Sequence, residues 1–227
     1  MSVYGSTREQ DIKELIQRLK KIYKFRDLGQ LQYFLDIYII HNIDNRRIYI
    51  CQDSYVDKRI KHYKIDTSSK PPSTPVSHNQ DLIKYESEAH TERIRMYQKK
   101  VGSISYPANI THPDIAKTAS KLAEFLVNPV PEHEKAADHC LQYLATTKFP
   151  AIEYTALGDG ELTAQVPNEE LQIFKNTANA SFANGADCRS AEGYTFKLFG
   201  GCIDWAVQKQ ATVSTSTTEA ELLTLLF

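Results

Sequence analysis

The chain has 227 residues, 41% of them hydrophobic and 24% charged, with a formal net charge of −1. This composition fits one large or two small folded domains and excludes a disordered or collagen-like chain. Its longest apolar stretch, LQYFLDIYII (31–40), falls short of the ~18 residues that read as a membrane span.

Residues 8–23 carry Ile12, Leu15, Ile16, Leu19 and Ile22 at helical spacing, and Ser6 three residues before Glu9 is a capping-box start. Segments 31–40 and 46–52 read as two strands joined by the polar turn HNIDN. A second helix is predicted over 54–63, with Val56, Ile60 and Tyr63 on one side. Residues 64–91, which include KPPSTPVSHNQ, have the Pro, Ser and Asn content of a long connection. Three helices are predicted at 92–106, 113–127 and 131–145. Ile94, Tyr97, Val101 and Ile104 form the stripe of the first, while Pro113 and Pro131 suit the opening positions of the others. Strands follow at 151–155, 171–182, 193–199 and 202–208, with a turn at Gly200-Gly201 between the last two. The chain then enters a helix at STSTTEAELLTLLF, whose Leu222, Leu223, Leu225, Leu226 and Phe227 need something to cover them.

Several chemistries are excluded by spacing. Cys51, Cys140, Cys188 and Cys202 lie far apart without a CxxC pair, which argues against a zinc module or a disulfide framework. With no secretory leader at the start, the expectation is an intracellular chain, cytoplasmic or nuclear. His133, His139 and Cys140 come without HExxH or a supporting carboxylate and read as surface or packing residues. The serines lack a GxSxG context, and no glycine-rich phosphate loop is present. Charge is uneven: 13 basic against 8 acidic residues over 1–64, 10 against 10 over 65–150, and 4 against 10 over 151–227. A basic front can hold phosphates. Its candidate contacts are Lys20, Lys21, Lys24 and Arg26, with Arg46, Arg47, Lys58, Arg59 and Lys61 nearby in sequence. A solvated amphipathic face is the alternative reading.

Three blocks resemble the Pol polyproteins of Ty1/copia-type retrotransposons. YKFRDLGQLQYFLDIYI (23–39) resembles that family's DLG-x-x-x-YFLG strand block. YQKKVGSISYPANITHPDIAKTASKLAEF (97–125) is similar to its Y-x-x-LVG-x-x-x-Y…T-x-PDI helices. TANASFANGADCRSAEGYTFKLFGGCIDWAVQKQATVSTSTTEAEL (177–222) is similar to its DADWA…GY…W-x-SKKQ…EAEY block. The resemblance implies an α/β chain. Residues 1–63 would form a partial reverse-transcriptase palm with its hairpin, 64–91 a linker and 92–150 a thumb-like helical region. Residues 151–227 would form a connection and an incomplete RNase H-like mixed β-sheet.

The resemblance also implies a site. Such folds hold two Mg²⁺ ions on clustered carboxylates. The polymerase motif YVDD lies in the family just upstream of a VYGS-like segment, and this chain begins MSVYGS, so both of that motif's aspartates are expected to be missing. Tyr55-Val56-Asp57 looks like the motif, but Lys58 follows it at a helix start, so it reads as a decoy. The first RNase H aspartate falls on Asn179, whose amide removes one negative charge from the metal cradle, and Asn184 is a second departure. The helix glutamate falls on Glu221, which also reads as a capping acid after Thr218; Glu219 has the same ambiguity with Ser216. The remaining aspartates would come from later elements. No polymerase or nuclease activity is therefore expected of the chain alone, and no cofactor, although the family uses Mg²⁺.

Binding can outlast catalysis. The hairpin tip Leu35-Asp36-Ile37 resembles the turn that steadies a primer end, and Val101-Gly102 resembles a thumb helix that lies along a duplex minor groove. Asp36 replaces the family's glycine and adds negative charge where a phosphate backbone would approach. The expected partner is an RNA–DNA hybrid or a duplex, held weakly and without sequence preference, and no membrane. Two other readings stay open. One is part of an active polyprotein whose missing motifs lie outside the chain. The other is an interaction protein that recruits the remaining Pol segments, or another protein, at an exposed sheet edge.

Overall fold

A computed structural model describes residues 9–24, 26–68, 70–77, 82–85, 88–155, 174–182 and 188–225. In chain order the elements are α1 (Glu9–Ile22), β1 (Tyr33–Phe34), β2 (Ile37–Asn42), β3 (Arg47–Cys51) and α2 (Asp53–Tyr63). Helices α3 (Thr91–Ile110), α4 (Ala116–Ala123) and α5 (Pro131–Thr146) follow. The chain continues through β4 (Ile152–Thr155), β5 (Phe174–Ser181), β6 (Ala191–Leu198), β7 (Gly201–Lys209) and α6 (Thr217–Thr224). No helix among the described residues is long and apolar enough to cross a membrane.

The core lies among α2, α3, α4 and α5. Tyr97, Val101, Ile104 and Ala108 recur along one stripe of α3 and meet Val56, Leu122, Cys140, Leu141 and Leu144. α3 runs past its expected end at 106 because it accommodates Pro107 inside the helix. Proline has no N–H, so the Ser103 carbonyl loses its partner one turn on. The Tyr55 hydroxyl of α2 donates to that carbonyl at 3.2 Å, and the Tyr63 hydroxyl lies 3.0 Å from the Ser103 Oγ. α2 is thereby docked on α3 at the point where α3 cannot satisfy itself. Past the proline, the Ala108 carbonyl accepts the Trp205 indole N–H of β7 at 2.7 Å. The helix expected over 113–127 is instead a 3-10 turn at Pro113–Ile115 leading into the shorter α4.

Much of the long connection is pinned to α5. Gln142 donates to the Asp66 carbonyl at 3.0 Å, His139 Nε2 lies 3.0 Å from the Thr74 carbonyl, and Leu82 enters the core. His133 is fully buried and stacks on Phe125 with ring centroids 3.9 Å apart. Its Nδ1 accepts the Val130 N–H at 3.2 Å, so Nε2 carries the proton and donates to the Ile83 carbonyl at 3.0 Å. His133 thus packs in the core, and the half-buried His139 holds the connection at its edge.

The first sheet has the order β1-β2-β3-β4. The strand expected over 31–40 is broken by Leu35 and Asp36, whose φ angles of 51° and 59° form a two-residue hairpin turn. Ile37 is therefore the first residue of β2 and not part of the tip. β4, from the segment assigned to the connection, pairs antiparallel with β3. The second sheet has the order β5-β6-β7, and its described strands are antiparallel throughout, where a mixed sheet was expected. Strands adjacent in this sheet are also consecutive in the chain, which suits antiparallel return and not a long crossover. The β6–β7 turn falls on Phe199 and Gly200 (φ 51° and 82°), one residue earlier than expected, since Gly201 already pairs with Leu198. Gly201 is needed for another reason: a Cβ there would lie 2.6 Å from the Tyr154 ring. That close approach joins the two sheets, and the Thr155 N–H donates to the Phe199 carbonyl at 2.9 Å.

Burial lowers the His133 pKa from its ordinary 6.5, because the charged imidazolium is penalised. The unfolded chain binds this proton more readily, so the contribution of His133 is complete above 6.5 and is lost as pH falls through the lower folded value. Unfolding free energy should therefore fall between about pH 7 and about pH 5, with a smaller slope in His133→Gln. Equal slopes in urea titrations of the two proteins would assign the titration to other groups.

Candidate nucleic-acid interface

The hairpin tip is held against α3 by a short relay of tyrosines. The Tyr55 ring, fixed by its bond to the Ser103 carbonyl, meets the Tyr106 ring edge-on with centroids 4.9 Å apart. The Tyr106 hydroxyl in turn donates to the Leu35 carbonyl at the tip. Gly102 lies one helical turn before Tyr106 and is exposed, with no atom within 4 Å of where a Cβ would stand. Residues four apart share a helix face, so the glycine and the tip border one open surface. Val101, the other expected contact on this helix, is 1% exposed and belongs to the core stripe; Gly102 alone of that pair offers a surface.

The charge at the tip differs from expectation. Asp36 accepts a hydrogen bond from the Tyr33 hydroxyl and another from Lys58 Nζ at 2.5 Å. Lys58 first, and then Tyr33, hold its carboxyl below the usual carboxylate range. The added negative charge is thus already met by a cation. Arg59 brings a second, its guanidinium 5.1 Å from the centre of the Tyr55 ring and its buried Nε–H without an acceptor. The Tyr55-Val56-Asp57 triplet is structural: Tyr55 and Val56 are buried and Asp57 pairs with Lys148 at 2.6 Å. Lys20, Lys21, Lys24 and Arg26 are exposed on and just after α1, whereas the cations at the tip come from α2. The spacing of Gly102 and Tyr106 was a usable signal in the sequence. The approach of Lys58 to Asp36, and the role of Tyr33, had none.

Asn179 and Glu221 sit differently. Asn179 pairs with Gly193 on the outer strand β5 and lines an open groove with Lys117, Thr177 and Val207. By strand alternation it shares a side with Trp205 and Lys209, which reach Ala108 and Glu124 on the α3–α4 side. Glu221 is exposed on α6, which is tied to the sheet by Gln210 donating to the Ala220 carbonyl at 2.8 Å, from the opposite alternation. No hydrogen bond or ion pair links the two residues. Glu219, not Glu221, is the capping acid: Ser216 accepts its N–H at 3.1 Å and its carboxylate accepts the Thr215 N–H at 2.7 Å. Asn184 lies outside the described residues. Among the described residues, no group of three or more His, Cys, Asp or Glu could hold a metal ion.

Comparison with known proteins places the chain. It is 30% identical over 222 residues to the retrovirus-related Pol polyprotein from transposon TNT 1-94 of Nicotiana tabacum, covering 93% of this chain and 16% of that one. It is 30% identical over 209 residues to a putative transposon Ty5-1 protein of Saccharomyces cerevisiae, covering 92% and 63%. It is 35% identical over 130 residues to secreted RxLR effector protein 161 of Plasmopara viticola, covering 57% of this chain and 83% of that protein. Over most of its length the chain is thus similar to retrotransposon Pol polyproteins. It spans only a part of the tobacco and yeast relatives. No family model and no solved structure matches it.

Tyr106→Phe keeps the ring stack and removes the donor to Leu35. Amide exchange at the tip, residues 35 and 36, should quicken while global stability falls by no more than about 1 kcal/mol, the net worth of one hydrogen bond. Unchanged exchange at the tip would mean that this tether does not order it.

Proposed function

We propose that the chain corresponds to the late palm, thumb-like helices and start of the RNase H-like region of a retrotransposon reverse transcriptase. In this reading it binds the backbone of an RNA–DNA hybrid or duplex without sequence preference and turns over neither polymerase nor nuclease chemistry. The observation that carries the binding reading is the Tyr106–Leu35 bond, which sets the hairpin tip beside the open Gly102 face of α3. A glycine there lets a nucleic-acid backbone come close to the helix. Lys58 and Arg59 supply positive charge at the same edge, and phosphate contacts of this kind carry no sequence information.

The Mg²⁺ pair of the family does not fit the donors present. Hard divalent ions ask for clustered anionic oxygens. Asn179 offers a neutral amide, Glu221 is exposed on α6, and no group of three or more His, Cys, Asp or Glu among the described residues could hold a metal ion. No catalytic step is assigned to these residues.

Fluorescence anisotropy with a labelled RNA–DNA hybrid tests the binding. Affinity should fall roughly tenfold between about 50 and about 200 mM salt if two phosphates are held. Gly102→Glu should weaken binding several-fold while leaving the protein at least as stable, since glutamate is the better helix former. No binding at low salt, or a Gly102→Glu variant that binds like the parent, contradicts the proposal. Primer extension and hybrid cleavage with Mg²⁺ should stay at background, and robust turnover of either kind refutes the inactive reading.

A further inference from the structure

We infer that Tyr33 Oη and Lys58 Nζ, with the Arg59 guanidinium nearby, form a binding site for one backbone phosphate of a nucleic acid, and that the Asp36 carboxylate fills it in the free protein. This rests on the nucleic-acid reading above and assigns its anchoring contact.

Tyr33 and Lys58 converge on a single Asp36 oxygen, and Lys58 Nζ also lies 3.4 Å from the Tyr33 hydroxyl. One oxygen held by a hydroxyl and an ammonium is also how a phosphate oxygen is held. Arg59, whose guanidinium lies 5.1 Å from the centre of the Tyr55 ring, adds positive charge close enough to favour the charged form of Asp36. The site also borders the surface where Tyr106 holds the tip against α3, so a strand lying along Gly102 would pass it.

Asp36 is not required by the turn it occupies. At φ 59° the position suits glycine or asparagine as well as aspartate. Its pairing with Lys58 is largely exposed, the kind of ion pair that adds little to stability. The carboxylate therefore acts on the ligand and not on the fold. A phosphate entering the site must displace it from Lys58 or suffer its repulsion, so Asp36 is a built-in competitor that sets the affinity low.

The test is hybrid binding by anisotropy in the parent, Asp36→Asn, Asp36→Gly and the double variant Asp36→Asn/Lys58→Gln. Asp36→Asn and Asp36→Gly should each bind about tenfold tighter at low salt, and the slope of log affinity against log salt should steepen by about 0.9, one further phosphate contact. Adding Lys58→Gln should abolish the gain. If the parent and Asp36→Asn bind with the same affinity and slope, or the gain survives Lys58→Gln, the phosphate site is wrong while the wider interface stands. If no variant binds the hybrid, the interface and the phosphate site fall together.

Discussion

A proline inside a helix sets the arrangement of this molecule. Pro107 lets α3 continue but strips the Ser103 carbonyl of its donor, and a buried carbonyl without a partner is costly. Tyr55 fills that vacancy from α2. The same ring then supports Tyr106, which reaches the hairpin tip at Leu35. One local defect thus dictates where α2 sits, how Tyr106 is oriented and which part of the first sheet touches α3. On the other side of the proline, the Ala108 carbonyl is taken by Trp205, so α3 also orients the second sheet.

The surface produced by this relay is polar, partly basic and internally balanced. Asp36 departs from the glycine of the relatives' pattern, yet its charge is absorbed by Lys58 and Tyr33. The proposed binding capacity and its restraint would thus be built from the same few side chains. In the second sheet, Asn179 on β5 offers a neutral amide and Glu221 is exposed on α6. In the proposed reading, the missing metal cage and the backbone-binding face lie in different sheets, so one does not require the other.

Most helices could be read from periodicity, since the stripe of α3 and the prolines opening the later helical segments are local signals. The strands β5, β6 and β7 and the turn between the last two were legible as segments, although the expected mixed pairing did not appear among the described strands. What escaped depends on contacts between distant segments. β4 joins the first sheet because its register matches β3, about a hundred residues earlier. Tyr55 looked like a stray motif residue, and Tyr106 stood only as the closing tyrosine of a family block. Their roles exist only once Pro107 has orphaned a carbonyl that another helix can reach. Val101 carried two signals, a core stripe and a family motif, and burial decided for the stripe.

The account stands on the bond between Tyr55 and the Ser103 carbonyl, and a double-mutant cycle in urea unfolding addresses it directly. Tyr55→Phe should cost about 1–3 kcal/mol in the native background, because a buried acceptor is left bare. In a Pro107→Ala background the new N–H can serve Ser103, and the cost of Tyr55→Phe should shrink by at least about 0.5 kcal/mol. Strict additivity of the two substitutions would contradict the claim that the proline creates the need that Tyr55 meets.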